Sequence, residues 1–576
     1  MTSTKKQYNI VLNGGDILLD VLKSYGVECI FCSPGTEWVS VWESLARRYS
    51  QGDETLKYFN CRHEALAVAL ALGYTDATGR LSAVLLHGVV GPLNGALPIR
   101  AAYRTQAPMI IFTGDSSGFG EDEDDRGEGC RYIGGLSDKG GNAIPVSTYV
   151  KWSNSVTSKE TLLNTIYRAC GIAQAPPQGP VFISIPFETL LKSQPQVRIP
   201  PASPAAGLPE PRPDDLEKVA DYLLESKRPI VLTEYAGNEP EAIASLVELA
   251  ELLSIPVFEG GIPRVANFPK EHPLYGGCEV TEALLEADAV FIVGATLPWQ
   301  PCSAFPKDGT KVILVDEDPF KQQLPYWGYR PDLSVTADVS QWLAALVVKI
   351  RERLNGSKQP AARYRERFQR WQTKHKQMME SWKAEAQAGR KNKPISPEWF
   401  LSTISKLLPE DSIILEESTS HRSLIHRYLS RPGAYFNVRN GLGIGLGVAA
   451  GTKLAYPDKP VIFLVGDGAF NYNPVLAGLG FCQEYHLPIL TIVMNNGIYA
   501  AMKTPYRDHF PGGWSIRSNK YLSVDIAPRP DYVKIAEAFD AYGERVETPG
   551  DIKPALNRAL KQIAMGRAAL IDLIVE

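Results

Sequence analysis

Between Pro460 and Tyr499 the chain reads PVIFLVGDGAFNYNPVLAGLGFCQEYHLPILTIVMNNGIY, and its polar residues gather at two points. An apolar run, Val461 to Val465, stops at Gly466-Asp467-Gly468, and a second, Ile489 to Met494, stops at Asn495-Asn496-Gly497. Asp467 offers a hard, charged oxygen, Asn496 a neutral amide oxygen, and the carbonyl of Ile498 can add a third. Three protein oxygens, two diphosphate oxygens and one water complete the six-coordinate shell that magnesium prefers. The glycines flanking Asp467 let the backbone approach a ligand and turn amides toward an anion. A lone GDG is most often an ordinary strand-to-loop turn; GDG followed at this distance by NN, each closing an apolar strand, points to metal and diphosphate.

The two apolar runs and the segment of helical length between them predict a strand–helix–strand unit with a polar turn at each strand end. In open parallel sheets such ends form the ligand crevice. Upstream, Gly15 to Tyr25 has helical periodicity, and Val27 to Phe31 reads as a strand ending in the turn Ser33-Pro34-Gly35-Thr36. Cys61-Arg62-His63-Glu64 leads into ALAVALALGY, apolar on every side and so a buried helix, with Glu64 at its start. That carboxylate either faces water and complements the helix dipole or is held against a ligand, because burial without a partner is costly. Ala83 to Leu86 is a short strand, followed by His87 and the glycine-rich GVVGPLNG that opens another helix. Met109 to Thr113 ends in Gly114-Asp115-Ser116-Ser117-Gly118, formally the GxSxG of serine hydrolases, but the FGEDEDDRGEG that follows is not the helix a nucleophile elbow needs. It reads as an exposed loop. Ser412 to Leu415 is a strand ending in Glu416-Glu417-Ser418-Thr419-Ser420, hydroxyls apt for phosphate oxygens or for helix capping. Asn440-Gly441-Leu442-Gly443-Ile444-Gly445 opens a helix without the GxGxxG spacing of a dinucleotide fingerprint.

These segments resemble the thiamine diphosphate enzymes over almost the whole chain, and within that superfamily most nearly the benzoylformate decarboxylases and their acetolactate-synthase-like relatives. The resemblance implies thiamine diphosphate and Mg2+ as cofactors. The GDG and NN turns are similar to the family's diphosphate and metal motif, which implies cofactor contacts at Gly466, Asp467, Gly468, Ala469, Asn496, Ile498 and Tyr499, with Asp467, Asn496 and Ile498 on the metal. RHE before an apolar helix looks like the segment whose glutamate bonds N1′ of the thiamine pyrimidine and so promotes loss of the thiazolium C2 proton; Glu64 takes that role. The string ESTS resembles the family's diphosphate contact, implying Thr419 and Ser420. Leu442 matches the residue that wedges the cofactor into its bent form, and the Asn440 carbonyl the acceptor of the 4′-amino group. The LH before the glycine-rich turn implies His87 facing substrate as general acid or base. Thr36 is assigned to cofactor and substrate, and Trp299, Ala501 and Met502 to the substrate pocket. Pro301 falls where the benzoylformate decarboxylases carry a second active-site histidine; proline cannot transfer protons, so a different substrate or protonation step is expected. Tyr506 to Pro528 has the length of a lid.

The fold implied is α/β, three consecutive doubly wound parallel-sheet domains: 1–190 pyrimidine-binding, 205–352 central, 353–395 a charged connector, and 396–576 diphosphate-binding. Length agrees: at about 150 residues per domain, 576 residues predict three or four. In the central domain Pro229 to Thr233, Ile255 to Phe258, Ala289 to Val293 and Lys311 to Val315 read as strands of a parallel sheet. The first ends in Thr233-Glu234-Tyr235-Ala236, without a glycine-rich phosphate turn, so FAD is not expected there. Lys358 to Lys393, rich in Arg, Lys, Glu and Gln with aromatics at intervals, reads as a solvated helix.

Hydrophobic residues make up 44% and charged residues 22%, as in soluble globular proteins. A net charge of −4 argues against nucleic acid or an anionic membrane as partner. No secretory signal or bilayer-length apolar run is evident. Eight scattered cysteines suit a reduced, cytoplasmic protein, and the CxxC of Cys29 and Cys32, in a strand-like run with no second pair at metal spacing, reads as buried thiols. The resemblance implies that one cofactor is shared by two chains, hence a homodimer at minimum and a homotetramer by analogy. The activity expected is decarboxylation of a 2-oxo acid to an aldehyde or acyloin. The alternatives are an acetolactate-synthase-like carboligase and, from other classes, a non-catalytic partner subunit of the same fold or a nicotinamide oxidoreductase, the last disfavoured by the missing fingerprint.

Overall fold

A computed structural model describes residues 12–115, 140–193, 198–204, 207–261, 263–300, 304–355, 361–438 and 440–576. Ser116 to Gly118 and Pro301, on which two of the sequence expectations turn, lie outside the described residues.

Three six-stranded sheets follow one another along the chain, and every strand pairing within them is parallel. The cause is legible in the strands. Ser82–Leu86, Val181–Pro186 and Ile489–Asn495 are buried along their whole length, as strands covered by helices on both faces must be, and they carry continuous apolar runs rather than alternation. Numbered in chain order within each sheet, the strands of the first and third sheets both run 2-1-3-4-6-5, whereas the middle sheet runs 6-5-4-1-2-3. The middle sheet has six strands where four were legible, because Tyr275–Gly277 and Leu333–Thr336 are too short to leave an apolar run.

The chain divides into two compact units. One comprises residues 1–206, 440–458 and 472–487; the other 207–439, 459–471 and 488–576. In the first unit, helix Glu64–Thr78 packs on helix Gly445–Ala455. Residues Leu66 to Thr75 are all buried, which is why ALAVALALGY has no polar face. The two backbones come close: a Cβ on Gly73 would fall inside 3.0 Å of the Val448 carbonyl oxygen, and one on Gly451 inside 3.0 Å of the Leu70 carbonyl oxygen.

In the second unit the connector differs from its reading as a solvated helix. Helix Ala361–Ala388 lays Tyr364, Phe368, Trp371, Met378 and Trp382 onto the core of the middle sheet. These positions recur at intervals of three, four and seven, one helical stripe hidden among charges. Arg367, on the same helix and buried, donates to the carbonyls of Leu253 (2.8 Å) and Ser226 (2.9 Å). Among the described residues no helix is long and apolar enough to cross a membrane.

Candidate functional site

The chemistry-bearing residues form two groups, one in each unit. In the first, Glu64 opens helix Glu64–Thr78; the preceding His63 caps it, its Nδ1 accepting from the Ala65 N–H at 3.1 Å. The Glu64 Oε2 accepts from Asn94 Nδ2 at 3.1 Å. Asn94 belongs to helix Val90–Thr105, which also carries Arg100, whose guanidinium donates to the Asn440 carbonyl at 2.8 Å. Asn440 holds φ at +73°, the left-handed region, and so turns that carbonyl out of the approach to helix Gly445–Ala455. Leu442, two residues on, is exposed.

His87 lies at the end of strand Ser82–Leu86. Its Nδ1 meets Glu37 Oε1 at 2.6 Å, and the same oxygen accepts the Gly88 N–H at 2.7 Å. Glu37 is 2% exposed, and three glycines make room for it. A Cβ on Gly35 or Gly114 would fall inside 3.0 Å of its side chain, and one on Gly88 would stand 3.4 Å from Oε1. The hydrogen bond from Glu37 raises the His87 pKa against the effect of burial, with the charges of Glu37 and Glu64 adding. Burial pushes the Glu37 carboxyl up, but His87 and the backbone N–H groups outweigh it and hold it below the usual range. With Nδ1 on a carboxylate, the proton His87 can deliver elsewhere is the one on Nε2. Thr36, exposed, follows Gly35 in the same turn. The next residue after Gly88, Val89, holds φ at +58°, rare for a β-branched residue, and its N–H is held by Asn142 Oδ1 at 3.0 Å.

In the second unit three adjacent parallel strands, Ile413–Glu417, Val461–Gly466 and Ile489–Asn495, end side by side. The first two flank the point where strand order reverses in the third sheet, the place at which doubly wound sheets open a crevice. Thr419 and Ser420 are exposed just beyond the first strand. Asp467, buried, begins helix Asp467–Tyr472 directly from the second. Its Oδ1 accepts from Gly468 N at 2.8 Å and its Oδ2 from Gly497 N at 2.7 Å, so the GDG and NN turns are tied together. Burial raises the Asp467 pKa, with those N–H groups opposing. Asn496 Oδ1 accepts from Ile498 N at 3.1 Å. Gly468 must lack a side chain because the Tyr499 ring would lie inside 3.0 Å of a Cβ there. The expected single helix between the strands is two, Asp467–Tyr472 and Val475–Glu484, separated at Asn473-Pro474. Ala469 is buried in the first of them.

Donor chemistry fits the implied cofactors. Asp467, Asn496 and the Ile498 carbonyl supply hard oxygens from two turns in register, suited to magnesium. Thr419 and Ser420 offer hydroxyls beside them, and Gly466 and Gly468 a backbone without side chains, suited to a diphosphate. Ala501 lies in the turn Ala500–Met502, where Met502 is half exposed. The expected lid, Tyr506 to Pro528, holds the short helix Trp514–Ser518 and exposes Phe510, Trp514 and Leu522. Trp299, by contrast, is 4% exposed, packed edge-on to Tyr329 at 4.7 Å in the second core of the middle sheet. At that sheet's own reversal point the buried Glu234 accepts from the N–H groups of Thr296 (2.6 Å) and Leu297 (2.9 Å).

Sequence reasoning did not find Glu37, Asn94 or Arg100. Each is an ordinary polar residue beside a turn or on a helix, and only tertiary packing sets it against Glu64, His87 or Asn440.

Three family models match in succession: the N-terminal TPP binding domain of thiamine pyrophosphate enzymes over residues 12–124, their central domain over 216–346 and their C-terminal TPP binding domain over 417–573. The chain is 25% identical to a benzoylformate decarboxylase of Pseudomonas aeruginosa, covering 96% of this chain and 97% of that protein. It is 24% identical to the acetolactate synthase isozyme 3 large subunit of Escherichia coli, covering 98% and 95%. Among solved structures, a thiamine diphosphate-dependent 4-hydroxybenzoylformate decarboxylase from Rhodococcus jostii RHA1 superposes with a TM-score of 0.77 at 22% identity, covering 98% of this chain and 99% of that one, a likeness of fold. Two sheets of identical strand order, matched in sequence by the family's two TPP binding domains with its central domain between them, make this chain a member of the thiamine pyrophosphate enzyme family.

Proposed function

We propose that this protein is a thiamine diphosphate- and Mg2+-dependent enzyme that decarboxylates a 2-oxo acid and releases an aldehyde. When bound, the cofactor supplies a carbon nucleophile at thiazolium C2 and a ring that accepts the electrons left by departing carbon dioxide. Glu64 holds the pyrimidine N1′, with Asn94 fixing the carboxylate's orientation. The Asn440 carbonyl receives the 4′-amino group, and Leu442 and Tyr499 flank the cofactor. Asp467, Asn496 and the Ile498 carbonyl hold the metal; Thr419, Ser420, Gly466, Gly468 and Ala469 hold the diphosphate. Thr36, Ala501 and Met502 are the residues assigned to the substrate pocket; Trp299, expected there too, is buried against Tyr329 in a core of the middle sheet and is left out of it. In domain terms, 1–190 carries the acid, 396–576 the metal, 205–352 spaces them, and 353–395 connects. FAD has no place in this reading, since Glu234 already fills the amides where a Rossmann-type sheet would cradle a phosphate.

The observation that carries the decarboxylase reading is the Glu37–His87 pair. A histidine beside the substrate, its protonated form favoured by a carboxylate partner, would donate a proton to the carbon that loses carbon dioxide, which ends the reaction at an aldehyde. An acetolactate-synthase-like carboligase has no need of such a donor at that step, because a second carbonyl is to take the proton's place. Incubation with pyruvate, benzoylformate and longer 2-oxo acids, followed by mass spectrometry, separates the two. Aldehyde as the main product supports the proposal, and acyloin or acetohydroxy acid without aldehyde overturns it. Glu64→Gln at saturating cofactor is expected to lower kcat by about a hundredfold or more; full turnover in that variant would remove Glu64 from the mechanism.

A further inference from the structure

In the second unit a thiol, an imidazole and a carboxylate stand in a row. Cys278 follows strand Tyr275–Gly277, His426 lies on helix Arg422–Leu429, and Glu259 ends strand Val257–Glu259. Cys278 Sγ is 3.6 Å from His426 Nδ1, and His426 Nε2 is 3.1 Å from Glu259 Oε2. Glu259 is 1% and His426 2% exposed. The carboxylate is fixed by the Asn267 N–H at 2.5 Å and the Tyr275 hydroxyl at 3.0 Å. Burial alone would lower the imidazole pKa; the charges of Glu259 and Cys278 outweigh it and raise it to about 10. The Glu259 carboxyl is driven up by burial and held down, on balance, by His426. His426 thus presents Nδ1 to the sulfur and Nε2 to the carboxylate.

Two other roles are open to such a cluster. The three ligand-type atoms lie within 4.8 Å of one another, close enough for a metal, but opposite ring nitrogens face the sulfur and the carboxylate, and one ion cannot take both. An inert structural thiol is the other. The remaining described cysteines fit that description: Cys29, Cys32, Cys61, Cys170 and Cys482 are buried, and burial raises the thiol pKa of Cys29 to about 11 and of Cys32 and Cys482 to about 12. Cys278 differs, being partly exposed and set against a ring nitrogen of His426. An accessible thiol hydrogen-bonded to a carboxylate-backed imidazole is the arrangement in which cysteines react.

We propose that Cys278 is a modification site for small, soft electrophiles, with hydrogen peroxide as the reference oxidant. The thiolate attacks one peroxide oxygen; an S–O bond forms as the O–O bond breaks. Sulfur is oxidised, peroxide is reduced, and the departing hydroxide takes a proton to become water, leaving the sulfenic acid. Glu259 and His426 act as positioning residues.

The test is labelling of the native full chain, by iodoacetamide and separately by hydrogen peroxide with dimedone, read peptide by peptide by mass spectrometry. Cys278 is expected to react at least about tenfold faster than Cys29, Cys32, Cys61, Cys170 and Cys482. His426→Asn is expected to slow Cys278 about tenfold while leaving the other five unchanged, with Glu259→Gln as the second variant should His426→Asn not fold. A wild-type Cys278 no faster than the buried five overturns the proposal without any variant, as does an unaltered Cys278 rate in a folded His426→Asn protein. Because the readout is thiol labelling, its result is independent of which reaction the cofactor site performs.

Discussion

Glu37 and His87 stabilise each other only while both are charged, and this makes their pH behaviour calculable in sign. The folded His87 pKa is raised, so its share of stability is complete below the ordinary histidine value and is lost as pH rises through the raised one. The folded Glu37 pKa is lowered, so its share is present above the ordinary carboxyl value and is lost as pH falls through the lowered one. The pair is therefore fully effective between those limits. If protonated His87 is the proton donor, kcat/KM falls as pH climbs through its raised pKa. In Glu37→Gln the main cause of the rise is gone, and the alkaline limb of the pH–rate profile is expected to move to lower pH; a limb that stays in place means that His87 is not the titrating group. Glu64 and Asp467 could be read from the sequence because each sits in a short pattern, an acid heading an apolar helix and a carboxylate between two glycines. Glu37 could not, since its burial is made by Gly35, Gly88 and Gly114, which the chain brings together only on folding.

At the scale of elements, apolar runs were legible and contact geometry was not. ALAVALALGY announced a helix buried on all sides; what covers it, a second helix approached through Gly73, Gly447 and Gly451, required coordinates. Gly451→Ala forces a methyl against the Leu70 carbonyl and is expected to cost about 1–3 kcal/mol, seen as a lowered Tm. Gly550→Ala, with nothing within 4 Å of the new methyl, is the control and is expected to leave Tm nearly unchanged. The connector was misread for a related reason: its charges dominate the composition, and the stripe of Tyr364, Phe368, Trp371, Met378 and Trp382 shows only when positions are counted around the helix. The tie between the GDG and NN turns depends on strand register, since Gly497 N–H can reach Asp467 only while Val461–Gly466 and Ile489–Asn495 stay paired as they are. Prolonged dialysis against EDTA is expected to abolish turnover and Mg2+ with thiamine diphosphate to restore it, while Asp467→Asn raises the Mg2+ needed for half-maximal rate by about tenfold or more. Turnover that survives metal removal would dissociate Asp467 from the role assigned to it.

For the whole molecule, three α/β sheets in series were predictable from length and alternating runs, and identical strand order in the first and third was not, because nothing in a strand's sequence names its neighbour. That shared order goes with candidate residues at the same kind of place, the ends of parallel strands, on separate sheets. The proposal that one chain contributes Glu64 and a second chain Asp467 to the same cofactor can be tested without a structure of the assembly. At a Mg2+ concentration well below that needed by Asp467→Asn, Glu64→Gln and Asp467→Asn are each expected to show little activity alone. Mixed one to one and allowed to exchange, half of the dimers are hybrids; in each hybrid one site carries both substitutions and the other neither, so about a quarter of wild-type activity should return. If each chain instead built its site from its own two halves, every site in the mixture would carry one of the two lesions and no activity would appear. A recovery near a quarter, reached only after exchange and absent when subunits are cross-linked beforehand, is the result that a shared site requires.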